Sequence, residues 1–190
     1  MLITSCMRSA SSSMCLVLKD LLNLKKVVYP KFTHRDYRAG EGVKDYMFYP
    51  SSSALEIEPE ILVEWVTNRK SITQEHLLPI KKHRDILMSI PKKIRKVVVM
   101  KRDANDSFSS QLRRPGECPY LSRTTNKYKC LESFIKFRND IEFMFPESDG
   151  FLHLDFNDVI SNPVRQIKKI LDYWEFPYDP NKTFEFPHMK

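Results

Sequence analysis

A run of hydroxyl side chains beside an arginine is the first feature of this sequence that suggests chemistry. Residues 5–13 read Ser-Cys-Met-Arg-Ser-Ala-Ser-Ser-Ser, between an apolar stretch at 1–4 that predicts a buried strand and a stretch at 14–24 whose apolar spacing predicts a helix. Backbone N–H groups at such a strand-to-helix turn form a cradle for anions, which the helix dipole reinforces. The hydroxyls of Ser11, Ser12 and Ser13 can add donors, and the guanidinium of Arg8 has a fork geometry suited to phosphate or sulfate oxygens.

The same turn has other interpretations. It can be a serine-rich helix cap with an incidental arginine, and this motif alone does not choose between a cap and an anion site. It is not a Walker A loop, because the glycines and the lysine of GxxxxGK[ST] are absent. An ordinary ATP-hydrolysing function is therefore disfavoured.

A second arginine follows a clearly predicted strand. Residues 97–100 form a continuous apolar run, which is typical of a strand buried on both faces of a parallel sheet. Arg102 would then project beyond the carboxyl end of this strand, where the ligands of open α/β sheets bind. Asp103 is predicted to cap a helix that extends through Leu112 and carries Ser110, eight residues after Arg102. Taken alone, the pattern equally describes an arginine that closes a strand and an exposed serine on a helix.

The elements that must position these residues alternate between strands and helices. Further strands are predicted at 77–82 and 151–155, and further helices at 60–68, at 128–145 and from Pro163 onwards. Such alternation indicates an α/β layered fold with a central parallel sheet. A chain of 190 residues fits one domain that spans residues 1–190.

Composition narrows the class of partner without naming one. The formal net charge of +7 favours an anionic partner, which could be nucleic acid, a phosphorylated cofactor, an acidic glycan or a membrane surface. The four cysteines lack CxxC spacing, which indicates reduced thiols rather than a zinc site. No stretch approaches the roughly 20 apolar residues of a membrane span, and the N-terminus lacks the pattern of a signal peptide. We therefore expect a cytoplasmic protein.

Together, the two arginine motifs resemble those of the sulfotransferase family, whose members transfer sulfate from 3′-phosphoadenosine 5′-phosphosulfate. The family's turn after the first strand reads P-[KR]-S-G-[ST]-[ST], and the matching residues here are Met7-Arg8-Ser9-Ala10-Ser11-Ser12. Its second motif is a strand ending in R-[DN]-P with a serine eight residues after the arginine, and the match here is Arg102-Asp103-Ala104 with Ser110. A family segment Y-E-D-L…N-P is similar to Phe156-Asn157-Asp158-Val159 and Asn162-Pro163. The resemblance covers most of the chain apart from residues 31–75.

The resemblance implies a three-layer P-loop-like fold and transfer of a sulfuryl group to a hydroxyl or amine. It implies that the donor's 5′-phosphosulfate is bound by Arg8, Ser9, Ala10, Ser11, Ser12 and Ser13, with Arg8 also catalytic. Arg102 and Ser110 would bind the donor's 3′-phosphate. The donor is a co-substrate and no metal is expected. The acceptor can be a small molecule, a glycan or a protein, and no specific nucleic-acid partner is expected.

A sulfotransferase also needs a general base for the acceptor hydroxyl, and family members use a histidine or a carboxylate. His83 is the first candidate, because Lys81-Lys82-His83 is similar to a K-T-H-type segment of the family. His76 is the rival, because it opens an H-L-L-P string similar to the family's H-L-P. Either could instead be a solvated surface histidine.

Departures from the family pattern keep other functions open. Ala10 replaces the usual glycine, Met7 and Ala104 replace prolines, and Asn157 replaces a common glutamate. If the backbone at position 10 needs a positive φ, alanine there costs on the order of 1 kcal/mol. The main alternative is a catalytically degenerate nucleotide-binding module, followed by a basic nucleic-acid-binding protein. A kinase is the weakest option, because the turn lacks the glycines.

Overall fold

A parallel sheet forms the centre of the molecule, in a computed structural model that describes residues 1–5, 10–24, 27–28, 58–75, 81–113 and 127–179. Within these residues the strands are β1 (Leu2–Ser5), β2 (Val27–Val28), β3 (Ile72–Glu75), β4 (Val97–Lys101) and β5 (Leu152–Asp155). They lie side by side in the order β2-β3-β1-β4-β5, and every neighbouring pair is parallel. Parallel neighbours need crossover connections, which here contain the helices.

The helices in the described ranges are α1 (Ser11–Leu21), α2 (Pro59–Thr67), α3 (Lys81–Ser89), α4 (Ala104–Leu112), α5 (Lys127–Met144), α6 (Phe156–Ser161) and α7 (Pro163–Trp174). Pro163 occupies the first turn of α7, where its missing N–H breaks no helical hydrogen bond. Asp155 and Asn162 cap α6 and α7, because their side chains accept hydrogen bonds from backbone N–H groups in the first turn. These local signals explain why the chain turns sharply from β5 into two successive helices.

Helices α1 and α7 cover one face of the sheet. The alternate residues Ile3, Val98 and Met100 of β1 and β4 are fully buried and belong to one cluster with Leu18 of α1 and Trp174 of α7. The intervening residues of β1 and β4 are also buried, so the opposite face is covered as well. The molecule therefore has the predicted α/β architecture, a central parallel sheet flanked by helices.

Most of the predicted elements are present, with ends shifted by one to three residues. The strand predicted at 77–82 is wrong: Lys81 and Lys82 begin α3, and residues 77–80 lie outside the described ranges. The strand in this part of the chain is β3, which reads Ile-Thr-Gln-Glu and contains only one aliphatic residue. It is buried because β1 and β2 pair with it on both sides, and this cause lies outside its own sequence.

A buried arginine fixes the amino end of β4. Arg95 is 1% exposed, and its guanidinium lies over the ring of Phe151 with 4.5 Å between the central carbon and the ring centroid. Its N–H groups donate to the carbonyl oxygen of Leu87 at 2.8 Å and to that of Asp149. Arg95 thus connects the end of α3 and the turn before β5 to the sheet.

Lys96 and Tyr173 extend this polar network along the amino edge of the sheet. The Lys96 ammonium, 5% exposed, donates to the carbonyl oxygen of Tyr173 at 2.8 Å and contacts the Glu175 carboxylate at 3.3 Å. The Tyr173 hydroxyl donates to the carbonyl oxygen of Gly150 at 2.9 Å. Charged side chains at this edge therefore satisfy backbone carbonyls and hold α7 against the sheet.

Candidate functional site

The carboxyl ends of β1, β4 and β5 meet at the opposite edge. In the sheet register Ser5 is opposite Met100, and Lys101 is opposite Asp155. The ends of β1, β4 and β5 therefore lie next to one another at this edge. Open parallel sheets bind their ligands at this edge.

Ala10 has a left-handed backbone at the start of α1. Its φ is 66° and its ψ is 12°, and its carbonyl oxygen accepts the hydrogen bond from the Met14 N–H at 3.0 Å. A side chain in this region collides with its own carbonyl group, which costs about 1 kcal/mol relative to glycine. The positive φ that makes alanine strained at position 10 is therefore present.

The three serines that follow Ala10 have different surroundings. The first N–H groups of a helix have no partner within the helix, so the backbone of Ser11, Ser12 and Ser13 presents donors and the positive end of the dipole to this edge. Ser11 is only 4% exposed, and its Oγ accepts a hydrogen bond from the Gln74 amide at 2.9 Å. Ser12 is exposed and Ser13 half-buried. The hydroxyls are therefore not equivalent donors.

Gln74 is a site residue that sequence reasoning missed. It lies on β3 directly opposite Ile3 of β1 and is 9% exposed. Its amide donates to Ser11, while its Oε1 is buried and accepts no hydrogen bond in the described part of the chain. A polar side chain within a buried strand could have indicated this residue, but the sequence did not predict β3 at this position.

Arg102 is held at the end of β4 by an aromatic ring. Its guanidinium carbon lies 3.8 Å from the centroid of the Phe156 ring, and the arginine is half-buried. Because Lys101 pairs with Asp155 at the ends of β4 and β5, Arg102 and Phe156 are the residues that directly follow two paired strand ends. The sequence marked Phe156 as part of a family-like segment but assigned it no contact.

The residues after Arg102 form a capped helix, as predicted. The Asp103 carboxylate accepts hydrogen bonds from the N–H groups of Asn105 at 2.8 Å and Asp106 at 3.1 Å. Ser110 is half-buried on α4, the helix that this cap begins. Arg102 and Ser110 thus belong to one strand–turn–helix unit, and their convergence on one phosphate stays a prediction.

Of the candidate bases and the predicted catalytic Arg8, the structure describes only His83. His83 lies in the first turn of α3 and is fully buried, so it is neither at a strand end nor a solvated surface histidine. His76, Arg8 and Ser9 lie outside the described residues. His153 is half-buried on β5; its Nε2 contacts the carbonyl oxygen of Phe145, and burial is the main cause that lowers its pKa. Neither of the two described histidines is exposed.

Two further features concern metal binding and membrane spanning. Among the described residues no group of three or more histidine, cysteine or carboxylate side chains could hold a metal ion. Cys15 is a free thiol on α1, and burial raises its pKa far above the ordinary value, so it is unreactive at neutral pH. In the same ranges no helix has the length and apolar character needed to cross a membrane. The cytoplasmic location stays a prediction.

The fold has a solved counterpart. The crystal structure of a sulfotransferase from Alicyclobacillus acidocaldarius matches with a TM-score of 0.54 at 9% sequence identity, covering 97% of this chain and 85% of that chain. No protein-family model and no curated protein sequence matches the chain. At this identity the similarity establishes a sulfotransferase-like fold, while the donor, the acceptor and the residue roles are matters for proposal.

Proposed function

We propose that the protein is a sulfotransferase that moves a sulfuryl group from 3′-phosphoadenosine 5′-phosphosulfate to a hydroxyl or amine of an acceptor. The observation that carries the proposal is that β1 and β4, the strands that precede the two arginine motifs, end side by side at the carboxyl edge of a sulfotransferase-like sheet. A single nucleotide that carries a 5′-phosphosulfate and a 3′-phosphate needs two binding motifs close together, and motifs that follow neighbouring parallel strands meet this requirement.

Each motif receives a separate role. Arg8 would neutralise the charge that develops on the bridging oxygen of the donor, helped by Ser9 and the N-terminal backbone of α1. Arg102 and Ser110 would bind the 3′-phosphate, which distinguishes this donor from ordinary adenine nucleotides. No metal is needed, because positioning and electrostatics supply the acceleration.

In the transfer step the acceptor oxygen forms a bond to sulfur while the bond from sulfur to the donor's bridging oxygen breaks. The acceptor proton passes to a base, and 3′-phosphoadenosine 5′-phosphate leaves. His83 and His76 are the candidate bases, and the full burial of His83 favours His76. With His76 as the base, His76→Gln lowers kcat and removes the rise of activity with pH, whereas His83→Gln mainly lowers the melting temperature.

Ligand-induced stabilisation tests the donor assignment. We expect 3′-phosphoadenosine 5′-phosphate to raise the melting temperature of the full chain more than AMP does, since only the former carries a 3′-phosphate. Equal shifts would remove the 3′-phosphate assignment. Transfer of labelled sulfate to a panel of hydroxyl and amine acceptors should then require Arg8, so Arg8→Ala should abolish transfer while its circular dichroism spectrum stays native. Full activity in that variant would exclude Arg8 from the mechanism.

A catalytically degenerate nucleotide-binding module is the second candidate, and the left-handed Ala10 favours it. A Cβ at this position occupies space where glycine lets the backbone approach a phosphate closely. Donor binding without sulfate transfer across the acceptor panel would support the second candidate. Appearance of transfer in Ala10→Gly would identify this methyl group as the cause.

A further inference from the structure

The stack between Arg102 and Phe156 has a geometry that suggests a role for the phenylalanine. We propose that Phe156 is a positioning residue whose ring holds the Arg102 guanidinium in the orientation that selects nucleotides carrying a 3′-phosphate. This inference rests on the proposed function, and it adds a residue to which neither the motifs nor the fold assigns a task. The separation of 3.8 Å is the closest cation–aromatic approach among the described residues.

Phe156 is itself rigidly placed. It is the first residue of α6, directly after β5, and the Asp155 carboxylate caps that helix by accepting from the Asn157 N–H at 2.8 Å. Val159 of the same helix is fully buried in the core cluster. The backbone that carries the ring is therefore anchored to the sheet on one side and to the core on the other. A ring held in this way can restrict the long side chain that lies on it.

The stack itself uses none of the N–H groups of the arginine. A cation–π contact uses the flat face of the guanidinium, whereas its N–H groups lie in the plane and point outward from the rim. Bidentate recognition of a phosphate uses that rim. A guanidinium already held in one plane loses less side-chain entropy when the phosphate binds. Lysine would keep the charge but has no flat face to stack.

The molecule contains a matched control for this stack. Arg95 lies over Phe151 at 4.5 Å on the same pair of strands, but at their amino ends. Its N–H groups bind backbone carbonyls, and it is 1% exposed. If stacking served only stability, both pairs would respond alike to loss of the ring. If Phe156 positions a ligand-binding group, only the Arg102 pair will affect nucleotide selection.

The experiment measures dissociation constants of the full chain for 3′-phosphoadenosine 5′-phosphate and for AMP by calorimetry. Phe156→Leu keeps apolar volume but removes the ring, and we expect it to weaken binding of the first nucleotide by roughly 3- to 30-fold and leave AMP unchanged. Phe156→Tyr keeps the ring and should keep the wild-type ratio of the two dissociation constants, the one for AMP over the one for 3′-phosphoadenosine 5′-phosphate. Arg102→Lys, which leaves Phe156 unchanged, should also lower this ratio, because the preference for the 3′-phosphate is reduced. Phe151→Leu should lower the melting temperature and leave the ratio unchanged.

A double variant separates positioning from general damage. In the Arg102→Ala background the further change Phe156→Leu should have no effect on the ratio, because the ring acts through the arginine. An unchanged ratio in Phe156→Leu, or an equal loss for both nucleotides, would overturn the inference while leaving the proposed function in place. A wild-type protein that binds the two nucleotides equally would overturn the 3′-phosphate assignment, and the inference with it.

Discussion

Two arginine–phenylalanine stacks flank the pair of strands β4 and β5. At the amino ends Arg95 lies over Phe151, and at the carboxyl ends Arg102 lies over Phe156. The first arginine is almost completely buried and donates to backbone carbonyls, whereas the second is half-buried at the edge where α1, α4 and α6 begin. Helix N-termini carry partial positive charge and attract anions. The same kind of contact therefore lies inside the fold at one end and at the candidate ligand-binding edge at the other.

The largest difference between the two ends should appear in stability. Arg95→Ala deprives the buried carbonyls of Leu87 and Asp149 of their donors and leaves a cavity, so we expect the free energy of unfolding to fall by about 3 kcal/mol or more. Urea unfolding followed by circular dichroism measures this change. Arg102→Ala is the matched control at the other end, with an expected loss below about 1 kcal/mol. Equal losses would contradict the division of roles.

One left-handed residue from each end can also be compared, although Glu175 at the amino edge is left-handed too, with a φ of 56°. Gly150, in the amino-edge network, has a φ of 90° that suits glycine, whereas Ala10 at the carboxyl edge has a φ of 66°. We expect Ala10→Gly to raise the free energy of unfolding by about 1 kcal/mol, because the strain of the methyl group is removed. Gly150→Ala should lower it by about 1 kcal/mol or more, since an added Cβ would also lie 3.1 Å from the Lys92 side chain. Thermal melts of both variants provide the measurement. A destabilised Ala10→Gly would show that the turn prefers alanine.

The smallest effect concerns pH and His153, which lies on β5 between the two stacks. Burial lowers the pKa of His153 from 6.5, and Lys101 lowers it further, while the hydrogen bond to the Phe145 carbonyl oxygen opposes the shift. Below pH 6.5 the unfolded chain therefore binds a proton before the folded chain does, so the contribution of His153 to stability is lost as the pH falls. We expect His153→Gln to reduce the decrease in unfolding free energy between pH 7 and pH 5. An identical decrease in both proteins would assign the acid sensitivity to other groups.

Several features could be predicted from local sequence. The apolar run of β4 identifies a strand buried on both faces, and Pro163 with the apolar spacing that follows it identifies α7. Asp103 was recognised as a cap because an aspartate before a helix accepts hydrogen bonds from the backbone N–H groups that follow. In each case the cause lies within a few residues of the effect. The strain at Ala10 was predictable for the same reason, once a positive φ was assumed.

The remaining features depend on neighbours that are distant in the chain. Nothing in Ile-Thr-Gln-Glu identifies β3, because its burial is produced by β1 and β2. The hydrogen bond between Gln74 and Ser11 joins residues 63 positions apart, and the stack of Arg102 on Phe156 depends on the register of β4 with β5. The burial of His83 likewise depends on how α3 packs against the rest of the molecule, which its own residues do not specify.

The sequence by itself therefore predicted the layered α/β class and the cost of alanine at position 10 under a positive φ, while anion binding by the two arginine motifs stays a prediction. These follow from short-range periodicity, residue type and backbone sterics, which a linear chain already specifies. Only the tertiary structure showed that Arg95 supports the fold and that Arg102 stacks on Phe156. Parallel strand pairing brings residues together through backbone hydrogen bonds that carry no side-chain signature, so their partners cannot be read from either segment alone.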